Sequence, residues 1–330
     1  MIDISTKMKD VIDTDVFYNW EHMIRLPNGI PGIDINTITI AEIGNAAGWM
    51  AEPIADGLNY LVKRAKEFSV YRDYWDSDEK EKDISKKETG LVVLPTKTPG
   101  DCHPFIVLVA GGAYKIVCSL VEAYSYAERL NERGYTVFVV KYRTDTYARM
   151  PNPLDDLAQA ISYILDHAEE FHVDPVSYAV CGASAGGHLT ALFGTKSQGY
   201  ARYGIRKPAC LILAYPVISY LEGAKTDTLL RMMTRSLGDG MNNKDLLEKY
   251  SAERQVDADY PPTYLWQCMG DKVVPIDHTV SMVKALERNG VPYKYEAVAG
   301  GEHGWGIADG TPAQGWLKRA VMFWETQITD

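Results

Sequence analysis

From Leu91 onward the chain alternates short β-rich, mostly apolar runs with longer stretches of helical period, and few architectures accept that pattern. The short runs are 91–94, 105–109, 136–140, 178–181, 210–214, 264–269 and 293–298. A strand without a polar side has to be covered on both faces. Helical stretches between such strands supply the cover and make the connections crossovers in a mostly parallel sheet. Among them are a helix from about Ser119 to Arg133 stopped by Gly134, one opened by Pro153, one from Ala185, one from about Thr279 to Arg288, and a last one carrying Trp316, Leu317, Ala320, Val321 and Trp324. The prediction is a doubly wound α/β domain over residues 89–330. Residues 221–255 fall between two core strands and read as an inserted helical segment that includes Leu229-Leu230-Arg231-Met232-Met233.

Residues 1–88 lack this order and read as an N-terminal extension, a candidate cap over a site at the strand ends. Within it, Ile54, Leu58, Leu61 and Val62 predict a helix over 51–68. The run Asp76-Ser77-Asp78-Glu79-Lys80-Glu81-Lys82-Asp83 predicts a solvated loop or helix face.

Composition removes whole classes. At 330 residues and 46% hydrophobic, the chain is neither disordered nor fibrous. Its net charge of −10 and lack of long basic stretches argue against a nucleic-acid partner. Five scattered cysteines without a C-x-x-C pair argue against a disulfide scaffold or a zinc knuckle, and free thiols in a reducing compartment are the expectation. The N-terminus carries no basic and apolar leader pattern, and no apolar run approaches the roughly 18 residues of a membrane span. The expected location is therefore cytoplasmic, with no membrane partner. Nothing in the sequence fixes an oligomeric state.

Four features carry chemistry. Gly182-Ala183-Ser184-Ala185-Gly186 follows a β-run and opens a helix, the context in which G-x-S-x-G lifts a serine above the sheet edge. Ala110-Gly111-Gly112-Ala113-Tyr114 comes straight off another strand; Gly112 and Ala113, with Ala185 after the serine, offer backbone N–H groups for an oxyanion hole. His303, in Gly300-Gly301-Glu302-His303-Gly304-Trp305-Gly306, is the candidate base among seven histidines. His188 reads as packing behind the serine, and His167 and His172 as partners of a helix end. Asp271, just after a strand, is the candidate carboxylate that orients the base; Asp277 reads instead as a helix N-cap. Ser184, Asp271 and His303 fall in the chain order of α/β-hydrolases.

On these residues, together with Lys141-Tyr142-Arg143, Asp156 and Asp271 to Pro275, the chain resembles the esterase/lipase group of α/β-hydrolases over about residues 90–328. It is similar to acetyl-esterase and xylan-esterase-like members, close to the feruloyl-esterase-like and hormone-sensitive-lipase-like sets. The resemblance implies Ser184 as nucleophile, His303 as base, Asp271 as orienter, Gly112, Ala113 and Ala185 as oxyanion donors, and neither a cofactor nor a metal. Ala110 and Ala113 stand where the family usually has His or Pro and a third Gly, which predicts a tighter acyl pocket. The expected substrate is a small-acyl ester, acetyl first, of an alcohol or sugar, with Tyr114, Trp305 and Trp49 as candidate lining. Two alternatives stand beside this reading: an amide or peptide hydrolase of prolyl-oligopeptidase-like or arylformamidase-like type, and a non-catalytic binder on the same scaffold.

Overall fold

The computed structural model describes residues 1–25, 34–98, 100 and 102–328. Eight strands form one sheet: β1 (Tyr71–Arg72), β2 (Gly90–Leu94), β3 (Phe105–Val109), β4 (Thr136–Lys141), β5 (Ala179–Ala183), β6 (Cys210–Ala214), β7 (Thr263–Cys268) and β8 (Tyr293–Val298). Their spatial order is β1-β2-β4-β3-β5-β6-β7-β8. The first two strands run antiparallel to their neighbours, and every pairing from β4 to β8 is parallel.

Side-chain alternation divides the core between the two faces. Ile106 and Leu108 point to one side, with Val92, Val137 and Val139. Phe105, Val107 and Val109 point to the other, with Val93, Phe138 and Val140. The helices Asn152–Asp166, Ser184–Phe193 and Asp277–Arg288 contribute to the second face, and Tyr124–Glu132 and Trp316–Ile328 to the first.

Most buried residues before β2 join the first face and build no core of their own, while Tyr74 joins the second. Met8, Phe17, Trp20, Met23, Ile54, Leu58 and Leu61 share one buried cluster with Ile106 and Leu108. The helix predicted over 51–68 spans Glu52–Ala65, with Pro53 in its first turn. It lies so close to the next layer that a Cβ on Gly57 would meet Ser125 N at 2.9 Å. Tyr60 donates to Asn131 Oδ1 across this contact at 2.7 Å. The charged run contains the helix Ser77–Lys82, none of whose residues is buried, with the Asp76 side chain capping it through Glu79 N–H.

Two expectations need correction. The helix predicted from Ser119 to Arg133 is broken at Ala123, where φ of −142° separates Ser119–Glu122 from Tyr124–Glu132. Asp277 opens the helix Asp277–Arg288 but makes no cap; its carboxylate turns outward to Lys225 at 3.0 Å.

Behind the strand ends, Arg143 and Asp156 form a buried pair, Nε to Oδ2 at 2.9 Å. Asp156 also accepts from Arg143 N–H at 2.7 Å and Trp75 Nε1 at 3.0 Å. Among the described residues, no helix is long and apolar enough to cross a membrane.

Candidate active site

In open α/β sheets ligands sit beyond the carboxyl ends of the strands, where the strand order reverses. Here that place lies between β3 and β5, which are neighbours in the sheet although β4 intervenes in sequence. Ser184 follows β5 directly and opens the helix Ser184–Phe193. Its φ of +51° is a left-handed conformation that non-glycine residues adopt only under constraint. The constraint is space: a Cβ on Gly182 would overlap the Gly186 carbonyl, and one on Gly186 would overlap Val109 O. Glycine at these positions lets β5, the turn and β3 close up, which projects the serine.

The other two residues reach Ser184 from the ends of β7 and β8. His303 Nε2 stands 2.9 Å from Ser184 Oγ, and His303 Nδ1 stands 2.7 Å from Asp271 Oδ2. Asp271 is fixed in turn. Its Oδ1 accepts Val273 N–H and Val274 N–H, both at 2.9 Å, and Oδ2 also accepts from Gln267 Nε2 at 3.2 Å. Tyr215, just after β6, sets its ring edge-on to the imidazole at 5.1 Å. Such a chain can take a proton from a hydroxyl and hold the resulting imidazolium.

Beyond β3, Gly112, Ala113 and Tyr114 all have positive φ, at 121°, 52° and 55°. Among the described residues, no acceptor takes the N–H of Gly112, Ala113 or Ala185. The inserted segment steadies this turn, since Arg235 Nη1 donates to Ala113 O at 3.3 Å.

The three aromatic candidates separate. Tyr114 is fully buried and its hydroxyl meets His188 Nδ1 at 2.8 Å beneath the serine helix, so it has no face to offer a ligand. His188 completes that packing by bonding Tyr250 O through Nε2 at 2.8 Å; burial holds its pKa down to about 4. Trp49 and Trp305 are half-buried near the base. A Cβ on Gly304 would lie 3.2 Å from Trp49 Nε1, and one on Gly301 would lie 2.7 Å from the Trp305 ring. Trp49 and Ile116 belong to the wall of a cavity of about 220 Å³ that also includes Val121 and Lys141. Burial lowers the Lys141 ammonium to about 8, and it bonds His22 O. No cluster of three or more candidate metal ligands occurs among the described residues.

Comparison with known proteins fits this geometry. Residues 92–286 match the BD-FAE family. The chain belongs to that family. The BD-FAE chain is 29% identical over 226 residues to endo-1,4-beta-xylanase B of Butyrivibrio fibrisolvens, covering 66% of this chain and 34% of that protein. It is 28% identical over 205 residues to an acetylxylan esterase of Xylanibacter ruminicola, covering 61% and 41%. It thus spans less than half the length of either relative. Among solved structures, an acetyl ester-xyloside bifunctional hydrolase from Caldicellulosiruptor lactoaceticus superposes with a TM-score of 0.64 at 29% identity, over 72% of this chain and 88% of that one. The fold is that of the α/β-hydrolases.

One further residue of the site escaped the sequence reading. Glu122 is buried beside the oxyanion turn, where it accepts Gly111 N–H at 2.6 Å. A carboxylate one position before the break in an otherwise apolar helix, Ser119-Leu120-Val121-Glu122-Ala123, was the available signal.

Proposed function

We propose that this BD-FAE protein is a serine carboxylic-ester hydrolase that removes small acyl groups, acetyl first, from an alcohol or sugar through an acyl-enzyme. The observation that carries the reading is the unbroken contact from Ser184 Oγ through His303 to Asp271 beside three amides without acceptors. In this reading His303 Nε2 takes the Ser184 proton as Oγ attacks the ester carbonyl carbon. The carbonyl oxygen becomes an oxyanion and receives the N–H groups of Gly112, Ala113 and Ala185. Collapse breaks the bond to the alcohol oxygen, which takes the proton from His303. Water then attacks the acyl-serine with the same imidazole as base, releasing the acid and restoring Ser184. No step calls for a cofactor or metal.

Preference for acetyl esters of carbohydrates draws on the printed functions of the xylan-directed relatives and on the half-buried Trp49 and Trp305, each able to stack on a sugar face. Residues 1–88 act as an extension that closes one side of the site through Trp49.

The test is a fluorophosphonate probe with a panel of p-nitrophenyl esters, aminoacyl amides and formamides. Labelling at Ser184 and turnover of the acetyl ester are expected. Amide turnover above ester turnover would replace the ester assignment, and an unlabelled Ser184 in folded protein would leave only a binder.

A further inference from the structure

Glu122 has no part in the proton relay, yet it is a charge-bearing group buried beside the oxyanion turn. Its Oε2 accepts Gly111 N–H at 2.6 Å. A Cβ on Gly111 would lie 2.9 Å from that oxygen, 2.7 Å from Ser184 Cβ and 2.7 Å from Ala183 O. Glycine is thus what allows a carboxylate and the serine to approach from two sides of one residue.

We infer that Glu122 is a positioning residue for the proposed reaction: its buried carboxylate pins the turn bearing Gly112 and Ala113 and gives the His303 imidazolium a second negative partner besides Asp271. The inference rests on the ester-hydrolase reading for its chemistry but not for its electrostatics. Glu122 takes no proton in the cycle; the Ser184 proton passes to His303 and on to the leaving alcohol.

The surroundings isolate this pair of charges. Cys118, Tyr126, Tyr142, Cys181 and Tyr215, on the neighbouring helices, β5 and the loops after β3, β4 and β6, are all buried, and the Glu122 charge bears on each of them. Burial pushes each of them upward, so all stay neutral at ordinary pH. Burial also raises Glu122 itself, while the nearby imidazole and the Gly111 N–H oppose that rise. Asp271 bonds His303 directly, Glu122 lies across Gly111 from Ser184, and the neighbouring Glu302 is exposed. Tyr215 braces the base from the same side: its hydroxyl meets Tyr126 Oη at 3.2 Å and accepts Gly306 N–H at 3.2 Å, and its ring abuts His303.

A carboxylate here also repels the oxyanion, so its effect on rate is partly cancelled. Its effect on proton affinity at His303 is not, and that is the decisive quantity. The experiment is an NMR titration of ¹⁵N-histidine-labelled full-length protein, with His303 assigned by comparison with His303→Gln. Glu122→Gln keeps an oxygen for Gly111 N–H and removes the charge. Its His303 midpoint is expected to fall by about one pH unit. Glu122→Asp, which keeps the charge, is expected to stay near the parent value. Superimposed titrations for parent and Glu122→Gln would overturn the inference.

Should Glu122→Gln fail to fold, the reciprocal shift decides. In ¹³C-glutamate-labelled protein, His303→Gln removes the cation and must raise the Glu122 midpoint; an unmoved midpoint overturns the inference equally. The fluorophosphonate result is a separate arm. Unlabelled Ser184 with shifted titrations removes the hydrolase reading and leaves the coupling, whereas labelled Ser184 with superimposed titrations removes the coupling alone.

Discussion

The Asp271 side chain is wholly buried, while the His303 ring that it holds 2.7 Å away keeps 14% of its surface open. Solvent and substrate reach the imidazole, but only protein reaches the carboxylate. Asp271→Asn can still accept Val273 N–H and Val274 N–H through one oxygen, but it presents a donor to Nδ1 and favours the wrong tautomer. Its kcat for an acetyl ester should fall on the order of 10⁴-fold. Asp277→Asn, on the surface with Lys225, should stay within about threefold of the parent, in line with the small worth of exposed pairs. Equal losses in steady-state kinetics would move the orienter away from Asp271.

Ser184→Ala should lower kcat on the order of 10⁵–10⁶-fold and abolish probe labelling. Alanine meets the same strain at φ +51° as serine does, so the melting temperature should stay within a few degrees of the parent. Residual turnover near the parent level would refute the nucleophile.

Tyr114→Phe separates packing from substrate lining. The change strips His188 Nδ1 of a buried hydrogen bond at 2.8 Å, with an expected cost of about 1–3 kcal/mol in denaturant unfolding. The KM for acetylated sugars should not move. A raised KM at unchanged stability would return Tyr114 to the substrate pocket.

Acid should weaken the fold through its buried histidines. Burial lowers His22, His188 and His278 from the ordinary 6.5 to about 4. Each is neutral in the native state, whereas the unfolded chain binds a proton below about pH 6.5. Their contribution is therefore full above that pH, declines as pH falls toward 4, and levels off below. One fully buried imidazole accounts for roughly 3 kcal/mol across this window at 1.36 kcal/mol per unit. Melting temperature plotted against pH should show this decline, and His188→Gln should show a shallower one. Identical slopes would remove His188 from the account.

The sheet from Leu91 onward is legible because the strands from β2 to β7 are mostly apolar and buried along their length and helical periods separate most of them, while the edge strand β8 carries Lys294 and Glu296. Ser184 is legible because it directly follows a strand, and Asp271 and His303 because they sit in the glycine-bearing loops that leave β7 and β8. The two-residue β1 is too short to leave a periodic trace, and the antiparallel course of β2 is set by the tertiary pairing of Leu91 with Val140. The break at Ala123 was hidden by a continuous apolar stripe from Leu120 to Leu130. Tyr114 misled for a related reason: an aromatic after a glycine turn looks like a binding platform, but its direction depends on a backbone conformation that composition does not encode.

The boundary of the family match, at residue 92, is not a place where the molecule can be cut. Leu58, Leu61 and Trp20 lie in one continuous apolar layer with Ile106 and Leu108. A shortened form beginning at β2 would leave that layer open to water and prone to clump. Any transplant of this α/β domain into a larger multienzyme has to carry Trp20, Leu58 and Leu61 along, and drift at those positions is constrained by the sheet they pack on.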